Sequence, residues 1–154
     1  MLKRIIKLIL IVFWMGLIFS FSNDSGKVST GKSDGLIIRV VETIMGRELN
    51  DSEKEKWIDY LVVPVRKGAH LFVYLVLGIL IISFLKEFMI INYKVLLLGI
   101  FISFLYSCSD EIHQMLVPGR SGQVSDVLLD TIGASIGIIF YYLFYRKLNN
   151  TDKV

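Results

Sequence analysis

Residues 95–145 read VLLLGIFISFLYSCSDEIHQMLVPGRSGQVSDVLLDTIGASIGIIFYYLFY. Two membrane-grade apolar runs, 95–109 and 127–145, flank one ionisable stretch. That stretch carries Asp110, Glu111, His113, Gln114, Arg120 and Asp126. Ionisable groups at the edge of hydrocarbon are expensive and need partners, so the stretch reads as a candidate site. Val117-Pro118-Gly119 between the runs forces a turn, so the two runs form a helical hairpin.

Two further apolar runs lie upstream, at 5–21 and 69–85. A membrane-crossing helix needs roughly 17–25 residues, so the run at 95–109 reaches that length only if Lys94 snorkels and the helix continues to Asp110. The chain has 154 residues and is 54% hydrophobic, with mean hydropathy +0.62. That is too apolar for a soluble domain. The expected fold is all-α: one four-helix membrane domain over residues 1–154. The first run lacks a small-x-small cleavage site and is followed by more spans, which favours a span over a signal peptide. Net charge is +3, but no basic stripe interleaves with aromatics, so nucleic acid is not an expected partner. Cys108 is the single cysteine and carries no metal-type spacing.

Lysine and arginine placement orients the spans. Lys3, Arg4 and Lys7 precede the first, Lys86 and Lys94 lie between the second and third, and Arg146, Lys147 and Lys153 follow the fourth. These belong on the cytoplasmic side, with both termini. The long connection 22–68 holds eight positive and eight negative residues and casts no vote. Both polar clusters, 66–70 and 110–126, then face outward. Within 22–68, Leu36, Ile37, Val40, Val41, Ile44 and Met45 recur at helical spacing opposite Arg39, Glu42 and Arg47. This predicts an amphipathic helix on the bilayer or capping the bundle, with Ser33 as N-cap. A second short helix is expected over 51–61, capped by Asn50 or Asp51. Pro64 suits the first turn of the second span.

Arg66, His70 and Tyr74 are spaced by four and share one helix face, with Lys67 beside them. They form either a cationic wall with a titratable imidazole or interfacial anchors plus a packing histidine. Asp110, His113 and Gln114 line one face if the third span stays helical that far. An aspartate three residues before a histidine also occurs in carboxylate-bridged metal sites. Here Arg66, Lys67 and Arg120 disfavour a metal and favour an anion or a salt-bridge network; a divalent ion on Asp110 and His113 is the lesser alternative, and no cofactor is expected. The Arg120 fork suits phosphate or carboxylate, or else pairs with Asp126 or Glu111 and merely fixes the loop. Ser125 or Asp126 caps the fourth span. Asp126, Asp130, Gly133 and Gly137 make a polar-then-small stripe, and Asp130 needs a partner, His70 or Arg66. The closing segment of the first span, Ser20-Phe21-Ser22, carries little weight alone.

Taken in order, these segments resemble the VanZ-like family of membrane proteins over roughly residues 14–145. The carriers are Phe19-Ser20-Phe21-Ser22, Arg66-Lys67-Gly68-Ala69-His70-Leu71-Phe72-Val73-Tyr74, Asp110-Glu111-Ile112-His113-Gln114, Pro118-Gly119-Arg120-Ser121-Gly122 with Ser125-Asp126-Val127-Leu128, and Gly133-Ala134 with Gly137. Two positions depart: Asp130 stands where asparagine is expected, and Asn23-Asp24 where glutamine is common. The resemblance implies a multi-pass protein of the bacterial cytoplasmic membrane. It also implies reduced susceptibility to the lipoglycopeptide antibiotic teicoplanin.

Three functional readings follow. In the first, an outward-facing site takes a lipid-linked anionic envelope intermediate. Arg66, Lys67 and Arg120 clamp phosphate, aided by Tyr74, Gln114 and Asp130. His70 or His113 is base or nucleophile, with Asp110, Glu111 or Asp126 as carboxylate partners, in hydrolysis or phosphoryl transfer. In the second, the cluster is structural and the protein is a non-enzymatic scaffold that alters glycopeptide access, docking an acyl tail near Leu36 and Met45. The third is a transporter, which needs a homodimer through faces such as Gly133 and Gly137.

Overall fold

The computed structural model describes residues 1–23, 26–120 and 122–151; Asp24, Ser121 and Lys153, named above, lie outside them. Among the described residues there are five helices: α1 (Leu2–Ser22), α2 (Gly26–Met45), α3 (Asp51–Leu85), α4 (Tyr93–Met115) and α5 (Val124–Thr151). Four of them, all but α2, are long and apolar enough to cross a membrane. The architecture is an all-α membrane bundle, as the hydropathy requires. The third run gains its length from the continuation to Met115, which keeps Asp110, His113 and Gln114 on helix.

The helix α3 is the axis of the bundle and packs against each of the other four. Its closest neighbour is α5, which runs parallel to it. A Cβ built on Gly133 would collide with the Leu71 carbonyl, one on Gly137 with the Leu75 carbonyl, and one on Gly78 with Ala134 backbone. Lipid tails are as apolar as leucine, so helices in a membrane associate by close packing, and small residues permit it. The glycine face suggested for a second copy is therefore occupied within the chain. Its physical reason is local: Gly78 on α3 answers Gly133 and Gly137 on α5. Tyr74, Leu77, Ile82, Ala134 and Ile138 are the sealed centre of this seam.

Three further expectations give way, at Pro64, at Ser33 and at the start of α5. The short helix predicted over 51–61 and the span expected from 69 are one helix of 35 residues, with Pro64 in its interior. At about 1.5 Å per residue it is about 52 Å long, well beyond a hydrocarbon core of about 30 Å. Continuity across the proline comes from packing: Trp57, Leu61, Val62 and Val65 hold one stripe against Ile37, Val41 and Leu49. Pro64 itself is exposed, so the carbonyl it leaves without a donor is not sealed in the core. The start of α3 is as expected: Asn50 accepts from Glu53 N at 2.9 Å and Glu53 returns the bond at 3.1 Å, a capping box. The amphipathic helix is present as α2, but it begins at Gly26, so Ser33 lies inside the helix and not at its N-cap. Gly46 closes it with φ +66, the left-handed conformation glycine adopts at helix ends. Likewise α5 starts at Val124, which puts Ser125 and Asp126 in its first turn instead of at the cap.

One end of the bundle gathers the start of α1, the α3–α4 connection and the second half of α5. Lys7 Nζ meets Glu87 Oε1 at 2.6 Å and donates to the Ser83 carbonyl at 2.8 Å. Arg4 donates to the Glu87 carbonyl at 2.9 Å and Lys86 lies 4.2 Å above the Tyr145 ring. The opposite end gathers the end of α1, α2, the first half of α3, and the α4–α5 turn. Gly119, with φ +77, makes that turn.

Candidate functional site

The two polar clusters meet at this second end. On α4 a small and polar stripe, Gly99, Ser103, Ser107, Asp110, Glu111 and Gln114, faces the bundle interior, every member buried. It brings two carboxylates into a site that α3 and α5 complete.

Asp110 is 3% exposed. Its Oδ2 accepts from Ser22 Oγ at 2.8 Å, from Gln114 Nε2 at 3.2 Å and from the Tyr74 hydroxyl at 3.4 Å. Gln114 is thereby oriented, and its Oε1 accepts from Arg120 Nη1 at 2.9 Å. Arg120 Nη2 reaches the Phe21 carbonyl at 2.9 Å. Through these two acceptors the Arg120 fork clasps the end of α1 to α4. Glu111 instead anchors the α4–α5 connection, where its Oε1 accepts from Gln123 N at 2.6 Å, just ahead of α5.

Asp130, fully buried on α5, lies deeper. Its Oδ2 accepts from Ser107 at 2.9 Å. Its Oδ1 faces His70 Nδ1 at 3.4 Å, a charge contact too poorly aligned to satisfy either atom as a hydrogen bond. Asp110 and Glu111 were the expected orienting carboxylates for a histidine. The structure gives that place to Asp130, because the parallel α3–α5 seam sets His70 against α5 while Asp110 turns to Ser22 and Tyr74. His113 is drawn elsewhere: its ring stacks on Phe19 with centroids 4.2 Å apart.

Two cavities open beside His70. The first, about 360 Å³, has mainly apolar walls, among them Ile18, Phe21, Leu36, Val65, Ala69 and Val73. The second, about 400 Å³, is more polar and sets Lys67, Gln114, Gln123 and Asp126 beside Val62, Val63 and Leu129. Arg66, His70 and Arg120 border both. His113, Asp110 and Glu111 border neither. Arg66 is half-buried, and neither it nor Lys67 has a hydrogen bond or ion pair among the described residues. No group of three or more His, Cys, Asp or Glu side chains suited to a metal occurs among the described residues.

The expected residues thus divide. Arg66, Lys67, His70, Gln114, Arg120 and Asp126 surround space; Tyr74, Asp110, Glu111 and Asp130 lie behind them as supports. A family model described as VanZ/LLP1 matches residues 7–145. The chain belongs to the VanZ/LLP1 family. No curated protein and no solved structure matches it. The VanZ/LLP1 match spans all four apolar helices and both halves of the site. Sequence reasoning undervalued Ser22 and passed over Ser107. The signal for Ser107 was present: Gly99, Ser103, Ser107 and Glu111 repeat every four residues, as a buried helix face does.

A histidine whose Nδ1 faces a carboxylate keeps Nε2 for a substrate or water. Half-buried, unpaired guanidinium beside it favours an anion, since charge-assisted bonds in a low-dielectric site are strong. The arrangement can bind an anionic group and move a proton next to it.

Proposed function

We propose that this protein is a site for a lipid-linked anionic envelope intermediate at the outer leaflet of the bacterial cytoplasmic membrane, with both termini in the cytoplasm. The observation that carries the reading is Arg66, half-buried and without a hydrogen bond or ion pair among the described residues, bordering both cavities beside the His70–Asp130 pair. The topology is supported by Lys3, Arg4, Lys7, Lys86, Lys94, Arg146 and Lys147 at the opposite side of the spans.

The reaction is hydrolysis or phosphoryl transfer. Arg66, Lys67 and Arg120 hold a phosphate, and His70 Nε2 takes the proton of a water as its oxygen bonds to phosphorus. The bond from phosphorus to the leaving oxygen breaks, and that oxygen takes the proton from His70. Asp130 stabilises the charged imidazole meanwhile, as a buried carboxylate does behind a catalytic histidine. Acting on such an intermediate lowers teicoplanin susceptibility. The test measures teicoplanin and vancomycin inhibitory concentrations in a susceptible host at matched membrane abundance. Wild type should protect against teicoplanin, and His70→Ala and Arg120→Ala should abolish protection. Protection that survives both substitutions would sink the reading.

A non-enzymatic scaffold is the second reading. It is favoured by one observation: Leu36, Val40 and Ile44 of α2 form an exposed apolar row, suited to the acyl tail of a lipoglycopeptide. Under it, Leu36→Ser with Ile44→Ser removes protection while His70→Ala keeps it.

A further inference from the structure

The two cavities differ in chemistry and share one border. On one side of Arg66, His70 and Arg120 the walls are mainly apolar, with Ser22, Lys32 and Ser33 among them; on the other, Lys67, Gln114, Gln123 and Asp126 stand beside Val62, Val63 and Leu129. We infer that the ligand is an amphiphile in which a phosphate joins a hydrocarbon chain to a hydroxyl-bearing head, seated with the phosphate on Arg66, the chain in the apolar cavity and the head in the polar one. This rests on the anion-binding reading above and adds the order of the ligand's parts.

Three observations bear on it. First, both guanidinium groups, Arg66 and Arg120, stand on the shared border, with Lys32 on the apolar cavity and Lys67 on the polar one, so an anionic group at the arginines sits between two other moieties. A fatty acid or an alkyl phosphate ends at its anion and leaves the polar cavity to water. Second, the apolar cavity of about 360 Å³ holds roughly a dozen groups at the ~30 Å³ of a liquid water. That is room for one chain segment, and Ile18 and Phe21 of α1 and Leu36 of α2 supply hydrocarbon contacts along it. Third, the polar cavity combines donors, Lys67 and Gln123, with the acceptor Asp126. A head with hydroxyls answers both kinds, whereas a second phosphate would find Lys67 but meet Asp126 as a like charge. Each cavity falls in the size range of ordinary ligand pockets. With His70 on the shared border, the bond next to the reacting nitrogen is the one linking phosphate to its neighbours.

The experiment uses the purified full chain in mild detergent and two probes. Dodecyl phosphate has chain and phosphate alone; lauroyl lysophosphatidylglycerol adds a diol head. Binding is read by native mass spectrometry and by ligand-induced shift of the melting midpoint. Arg66→Gln should weaken both probes about tenfold or more, the usual worth of a charge-assisted bond. Ala69→Phe, placed at an exposed position that borders the apolar cavity, should weaken both similarly. Val63→Phe, exposed and bordering the polar cavity, should weaken only the lysolipid. Ala69→Leu and Val63→Leu repeat the test with smaller side chains should either phenylalanine disturb folding. If Arg66→Gln weakens both probes but the cavity-filling changes spare both, or act on the wrong probe, the chain–phosphate–head order is overturned and the anion site stands. If Arg66→Gln leaves both probes unchanged, the anion reading falls, and this inference with it.

Discussion

The two ends of the bundle handle charge in opposite ways. At one end, Lys7 and Glu87 pair directly at 2.6 Å, partly in solvent, with Arg4 and Lys86 laid on backbone and aromatic rings. These charges have near partners, and the result fastens α1 to the α3–α4 connection. At the other end, Asp110 and Asp130 are buried and take neutral donors or histidine. Asp110 takes a serine, a glutamine and a tyrosine; Asp130 takes a serine and His70. Arg66 has no hydrogen bond or ion pair among the described residues. A site that satisfied its acids with its arginines would be an inert salt-bridge network. Here neutral donors take one oxygen of each aspartate and the other oxygen has no hydrogen bond among the described residues, which keeps the cation for a ligand.

The contrast can be broken in steps. Asp110→Ala should be the most damaging change, because Ser22, Gln114 and Tyr74 all lose a buried partner; roughly 3 kcal/mol of stability should go, at about 1–3 for each buried polar group left unsatisfied with partial relaxation. Unfolding in detergent would measure it, and a midpoint within error of wild type would show that the network does not hold the bundle. Gly137→Val follows, at about 1–3 kcal/mol, since its Cβ would sit on the Leu75 carbonyl and force α3 from α5. Little change there would mean that the seam is looser than described.

Lys7→Ala should move the midpoint less than either, because a partly exposed pair gains little over its hydration. The Lys7 hydrogen bond holds the Glu87 carboxyl below the usual carboxylate range. The pair's contribution is therefore whole at neutral pH and disappears as pH falls through that lowered value; it should also shrink with added salt. A Lys7→Ala midpoint difference that persists in strong acid would contradict this. Arg66→Gln should barely alter stability, as no partner among the described residues is lost, while sharply reducing ligand-induced stabilisation. A large drop in the unliganded midpoint would make Arg66 structural and erase the difference between the two ends.

Much of this was readable in the chain. Apolar length determines four spans because unsatisfied backbone cannot cross hydrocarbon except as helix. The capping box at Asn50 and the Pro118-Gly119 turn are local rules, and local rules act within a few residues. The face shared by Arg66, His70 and Tyr74 is a matter of helical period, as is the stripe from Gly99 to Gln114. Together with the VanZ-like motifs, these determined the class of fold, the candidate residues and the convergence of both clusters at one end.

The depth of Asp130 called for His70 or Arg66 as its partner; which of the two it met, and the other partnerships of the site, were decided by the tertiary structure. His70 faces Asp130 because glycines let α3 and α5 touch, and nothing in the spacing of Asp110 and His113 forecasts that seam. Helix α3 runs through Pro64 because α2 packs across it, an override of a local breaker by burial. Ser22 gained its place only when α1 ended beside α4. Periodicity tells which side chains turn inward; the closest approach of two backbones, set by small residues far apart in the chain, tells which of them become partners.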